Sequence, residues 1–242
     1  MHEDEELLER VRALRAGGSG PKQIARALGL RPGQASGLLR KVAEAEQAGT
    51  TPERRSVAGC WVNAGWSLDL DLSAAQQWAA DDDTAATAHE GTSGFAQVLL
   101  ARQERASKVT VCGFLVDVHC LGVKNVTGPV TMGVGSLDAY RRSYYQAFER
   151  PPLSIGVDQA QRIVHGAVGY ARALGFEPAP DFQAAATYLG EPGEEVPVIG
   201  FGRQGLPFYV NGPYDDTRKI LSTLERTRGQ GNYHYLLQSG PM

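Results

Sequence analysis

The run Phe95-Ala96-Gln97-Val98-Leu99-Leu100-Ala101-Arg102-Gln103, followed after residues 104–107 by Lys108-Val109-Thr110-Val111-Cys112-Gly113-Phe114-Leu115-Val116-Asp117-Val118-His119-Cys120-Leu121, decides the class of the larger part of this chain. Both runs are rich in Val, Leu and Phe, and a short polar segment separates them, so they predict an antiparallel hairpin. Strand alternation over 108–121 places Cys112, Phe114, Val116, Val118 and Cys120 on one face. It places Val109, Val111, Gly113, Leu115, Asp117 and His119 on the other.

Helical periods follow. The spacing predicts helices over 136–149, with Ser136 as N-cap, over 157–174 closing at Gly175, and over 180–189. Residues 196–210 read as a second hairpin turned at 203–206, 214–228 as a last helix and 231–237 as a final strand. Residues 79–94, rich in Ala, Asp and Thr, read as a surface loop or a partly disordered insertion.

The first fifty residues have a different pattern. Leu7, Leu8, Val11 and Leu14 repeat with helical spacing over 4–16, and Gly17, Gly18 and Gly20 end that helix. Pro21 opens a short second helix, Gly29 marks a turn, and Arg31-Pro32 opens a third helix to about residue 46. A polar stretch at 49–56 then breaks the period. The expected class is α+β: a three-helix module at 1–48, a linker at 49–56, and a mixed α+β domain at 57–242 with antiparallel hairpins and about four helices.

Within the module, Lys22-Gln23-Ile24-Ala25-Arg26-Ala27-Leu28-Gly29-Leu30 resembles the helix-turn-helix of bacterial regulators, resolvases and sigma-type factors. Ala25 is the small residue where two helices cross, Gly29 the turn residue, and Ala35 and Leu38 the buried residues of the following helix. The resemblance implies DNA as partner. Lys22, Arg31, Gln34, Ser36, Arg40 and Lys41 are the candidate DNA contacts, with Gln suited to adenine and Arg to guanine or phosphate. Gly33 and Gly37 depart from a strong recognition helix. Residues 1–50 hold eight Lys or Arg and seven Asp or Glu, the acids lying toward the two ends and leaving the middle basic. One such module makes few phosphate contacts, so tight binding calls for a homodimer.

The whole chain, of 242 residues, carries a net charge of −3, which excludes coating of nucleic acid by bulk charge. Its 42% hydrophobic and 21% charged content is that of a packed globular protein. Three cysteines, Cys60, Cys112 and Cys120, give no pair with zinc-knuckle spacing and fit a reducing compartment. No apolar run is long enough for a membrane span, and the first residues are acidic, so the expectation is a cytoplasmic protein with no membrane partner.

In the larger domain Asp117 and His119 share a predicted strand face, with Lys124 close behind; together they suit acid–base chemistry, with a metal or an anion left open. His165, beside Gly166, and His234, between Tyr233 and Tyr235, are further candidates for such a centre. Cys120 reads as a core residue. Gly200, Gly202 and Gly205 match a dinucleotide fingerprint by letters only, because strand-like residues follow instead of a helix. Asp215 and Asp216 read as helix-initiating acids.

Phe114-Leu115-Val116-Asp117-Val118-His119-Cys120-Leu121-Gly122-Val123-Lys124-Asn125 and Gly231-Asn232-Tyr233-His234-Tyr235 resemble a bacterial family of uncharacterised proteins, over about residues 57–237. That resemblance implies no activity and no cofactor. Three functions therefore stand side by side. The first is a DNA-binding transcriptional regulator whose larger domain senses a small-molecule ligand or mediates assembly. The second is a nucleic-acid-directed hydrolase or nuclease using Asp117, His119 and Lys124 with His165 or His234. The third is a protein interaction module.

Overall fold

The computed structural model describes residues 2–48, 51–81, 94–194 and 197–238. The chain divides into two compact units, Met1–Arg55 and Ser56–Met242.

The first unit is three helices, α1 (His2–Ala16), α2 (Pro21–Ala27) and α3 (Pro32–Ala48). Val11, Ile24 and Val42, one from each helix, are fully buried, and Leu8, Leu14, Leu28, Leu38 and Leu39 pack around them. A core this small depends on close helix approach, and the sequence supplies it with buried Ala25 on α2 and Ala35 on α3. Between them Gly29 takes φ +66°. Its N–H bonds to the Arg26 carbonyl, and the Leu30 N–H reaches back to the Ala25 carbonyl at 2.8 Å. This double closure ends α2 and turns the chain into α3; a side chain at Gly29 would be strained there.

The second unit is built on a five-stranded antiparallel sheet in the order β4-β3-β2-β1-β5. The strands are β1 (Val57–Val62), β2 (Phe95–Arg105), β3 (Lys108–Asp117), β4 (Gly122–Gly133) and β5 (Leu153–Ser154). The short helix α4 (Gln76–Asp81) precedes β2. Helix α5 (Leu137–Tyr144) lies between β4 and β5, and α6 (Val157–Ala173) and α7 (Phe182–Leu189) follow β5. A two-stranded parallel pair, β6 (Phe208–Val210) and β7 (His234–Leu236), flanks α8 (Thr217–Arg228).

Both faces of the sheet are covered, which is why β2 and β3 read as near-continuous apolar runs. Val98, Leu100, Cys112, Phe114 and Val116 join Ile163, Val164, Ala167, Phe182 and Ala185 of α6 and α7 in the larger core. Leu99, Ala101, Val109 and Val111 meet Leu137, Tyr140, Tyr144 and Tyr145 on the other face. The alternation expected for β3 thus holds through Asp117.

Several expectations change. β3 stops at Asp117, and Val118–Leu121 form a buried turn, so His119 does not sit on a strand face shared with Asp117. β4 carries Lys124 and pairs with β3 from Asp117↔Gly122 to Lys108↔Gly133; no strand was expected over 122–133. As the outer strand, β4 shows alternating burial, is interrupted by Gly128-Pro129, and has its Val123 carbonyl taken by the Ala179 N–H at 2.9 Å. Residues 203–206 do form a tight turn, but β6 pairs in parallel with β7 and, among the described residues, not back onto 197–202, so the expected second hairpin is not seen there. α5 is shorter than predicted, and the Ser136 side chain makes no capping bond. Residues 82–93, most of the expected surface loop, lie outside the described residues; α4 occupies 76–81.

Candidate functional site

On the first unit, Lys22, Arg31, Gln34, Ser36, Arg40 and Lys41 are all exposed. Two of them already have local work. The Gln34 side-chain carbonyl accepts the Arg31 N–H at 3.1 Å, closing the first turn of α3 much as Gln23 accepts the Gly20 N–H at the start of α2. The Ser36 hydroxyl donates to the Pro32 carbonyl at 2.9 Å. Among the described residues the four cations have no such tie, and Lys22 lies in the first turn of α2.

In the second unit the buried turn after β3 is tied by Asp117. Its Oδ1 accepts the N–H groups of His119 and Cys120, each at 2.9 Å. Burial pushes Asp117 up to about 6, against the pull of the Leu121, His119 and Cys120 N–H groups and of the Lys124 charge. The turn is also held from outside: the Val118 N–H donates to the Gly94 carbonyl, and the Gly202 and Phe208 N–H groups donate to the Val118 and His119 carbonyls.

The His119 ring extends that clamp. Its Nε2 lies 3.1 Å from the Leu68 carbonyl, and its face meets Phe208 edge-on. A carbonyl partner selects the tautomer with the proton on Nε2. Burial lowers its pKa, which favours the neutral ring. The space lined by Asp117, His119, Gly94, Phe95, Phe208 and Val210 is about 10 Å³, room for one water and no substrate.

Lys124 reaches a different partner. Its Nζ donates to Asp215 Oδ2 at 2.8 Å. The Gly212 N–H donates to the same oxygen at 2.8 Å and the Tyr209 hydroxyl at 3.3 Å, and Tyr209 also meets Thr217 Oγ1 at 3.2 Å. Burial alone would raise the Asp215 pKa, but the bonds from Lys124 and Gly212 outweigh it and hold the carboxyl below its usual range. Asp216 alone initiates α8, accepting the Lys219 N–H at 3.1 Å. Asp215 and Asp216, expected to act alike, therefore divide between an ion pair and a helix cap.

No protein-family model, curated protein or solved structure matches this chain. The two resemblances drawn from the sequence therefore rest on their own residues.

The remaining candidates are placed apart by their bonds. His165 Nε2 lies 2.8 Å from the Gly190 carbonyl, while Arg102 and Gln161 donate to the Tyr188 and Leu189 carbonyls. Three side chains thus satisfy the C-terminal carbonyls of α7, the end of a helix that attracts donors and positive charge. His234 is exposed on β7. Among the described residues, no hydrogen bond or ion pair joins the side chains of any two of Asp117, His119, Lys124, His165 and His234. No group of three His, Cys, Asp or Glu among the described residues is placed to hold a metal ion. Cys60, Cys112 and Cys120 are all buried free thiols, with burial raising the pKa of each; Cys60 and Cys112 are pushed up to about 12.

Sequence reasoning missed Asp215, Tyr209 and Lys219 as neighbours of Lys124. Asp215 and Lys219 line the cleft beside α8 and Tyr209 bonds to Asp215, and nothing local in the sequence ties Lys124 to an acid 91 positions away. Arg102 was also missed, because a lone Arg in an apolar run reads as an exposed strand residue.

Proposed function

We propose that the three-helix unit binds double-stranded DNA, with α3 entering the major groove, and that the chain is a transcriptional regulator whose larger domain senses a ligand. The observation that carries this reading is the α2-turn-α3 geometry. Ala25 and Ala35 are buried where a close crossing needs small residues, and Gly29 closes α2 in a left-handed conformation. The four cations Lys22, Arg31, Arg40 and Lys41 are left exposed on the same two helices. Arg31 and Lys22, at the starts of α3 and α2, suit phosphate contacts, while Arg40 and Lys41 lie two turns further along α3. The Gln34 amide NH₂ remains available for a base even while its carbonyl oxygen closes the helix turn. Two copies on one duplex supply the phosphate contacts that one lacks.

The test is fluorescence anisotropy of the full chain with a random-sequence duplex at low salt. Binding that the Arg31→Ala/Arg40→Ala/Lys41→Ala variant loses at least tenfold, with its thermal unfolding unchanged, supports the reading. Absence of binding, or binding indifferent to the triple change, overturns it.

A further inference from the structure

A cleft of about 520 Å³ opens between the start of β4, the segment joining α6 to α7, and α8. That volume is in the range of small-molecule sites. Its walls mix apolar side chains, with Phe176 and Ile220 partly exposed above the buried Leu121 and Val123, and the charged side chains Lys124, Glu177, Asp215 and Lys219. Lys124 lies at this cleft with its side chain only 18% exposed, and Asp215 with 12%.

The charges at the cleft do not cancel. An ammonium has three N–H donors. Among the described residues, Lys124 spends one on Asp215 and sets its charge 5.9 Å from the Phe95 ring centre. Lys219, an exposed residue of α8, lines the same cleft, and its side chain makes no hydrogen bond or ion pair among the described residues. Of the two acids present, Asp215 is occupied by Lys124, and Glu177 faces Arg172, whose Nε lies 3.0 Å from its Oε2. With Lys124 paired to Asp215 and Arg172 to Glu177, Lys219 is left as a surplus of one positive charge. That surplus matches a monoanion and would be overfilled by a dianion beside Asp215.

We infer that this cleft binds a small amphipathic monocarboxylate, its carboxylate bridging Lys124 and Lys219 and its apolar body lying on Phe176 and Ile220. The site rests on the ligand-sensing part of the function proposed above. Binding is measured without DNA, so failure of the carboxylate and failure of DNA binding are separate results.

The experiment is calorimetric titration of the full chain with sodium octanoate, against acetate, which has the charge without the body, and 1-octanol, which has the body without the charge. Saturable octanoate binding is expected, at least tenfold tighter than either control. Lys219→Glu, at an exposed helix position, is expected to weaken octanoate at least tenfold while unfolding at the wild-type temperature. Lys124→Gln is expected to do the same, and if it fails to fold, Lys219→Glu decides. No octanoate binding, octanol binding as well as octanoate, or a folded Lys219→Glu variant that binds like wild type each overturns the assignment.

Discussion

Lys124, on the outer strand of the sheet, and Asp215, just before the last helix, meet at 2.8 Å across 91 residues of sequence. With little of either side chain exposed, the pair has traded most of its water for one partner and two further donors to the carboxylate. Removing one partner leaves the other charge poorly solvated, a change that costs about 3–5 kcal/mol when a pair is fully buried. The residual exposure lowers the expected loss for Lys124→Met to about 2–4 kcal/mol. The double variant Lys124→Met/Asp215→Asn is expected to lose less than the sum of the two single variants. Urea unfolding of all four proteins measures the difference.

Asp117 makes stability depend on pH with a definite sign. Its carboxyl is raised from 3.8 to about 6 in the fold. The fold therefore holds a proton that the unfolded chain gives up, and this contribution is present below about pH 4 and lost as pH rises to about 6. A displacement of that size corresponds to about 3 kcal/mol. His119 acts in the opposite sense: burial lowers its pKa from 6.5, so stability is lost as pH falls below that value. Asp117→Asn keeps an oxygen for the His119 and Cys120 N–H groups. It is expected to flatten the pH 4–6 part of the stability profile while leaving the His119 part in place. Thermal unfolding across pH 3.5–7.5 (about one scan per half unit) would show it.

Glycines divide into two kinds, and alanine tells them apart. A Cβ at Gly33 or Gly37 of α3 meets nothing within 4 Å. Gly33→Ala and Gly37→Ala are each expected to stabilise the helical unit by about 0.5–1 kcal/mol, read from its helical signal on heating. Gly94 is the opposite case. It has φ +87°, and a Cβ there would lie 2.5 Å from His119 Nδ1. Gly94→Ala is expected to cost about 2–4 kcal/mol, combining the left-handed backbone with a clash against a ring already clamped by Leu68 and Phe208.

Salt separates phosphate contacts from other causes of DNA binding. Each neutralised phosphate adds about −0.9 to the slope of log K against log salt. If Arg31, Arg40 and Lys41 each hold a phosphate, the triple alanine variant is expected to flatten that slope by about 2–3. Anisotropy titrations between about 50 and 200 mM salt measure both slopes.

What the sequence made legible was what repeats locally. The helical unit was readable because Ala25, Gly29 and Ala35 are specified by one tight turn. Helix α6 was readable within a residue because its apolar stripe is long and Gly175 ends it at φ +91°. β4 was not readable: as the outer strand it is half polar, and Gly128-Pro129 interrupts it. Losing β4 also lengthened β3 on paper and put His119 on a strand, whereas Asp117 draws the chain into a turn by taking two N–H groups. The candidate histidines misled for a related reason. His119 and His165 each direct Nε2 at a backbone carbonyl distant in sequence, a role that residue identity does not announce.

The outer edge of β4 bears on how this protein survives at high concentration. An open strand invites another chain to add itself, the first step of sheet-to-sheet aggregation. Here the Ala179 N–H already occupies the Val123 carbonyl at one end, and Pro129 offers no N–H further along. A visiting strand would find the ladder blocked at its start and broken in its middle. The same proline that hid β4 from the sequence pattern removes one ladder donor from that strand.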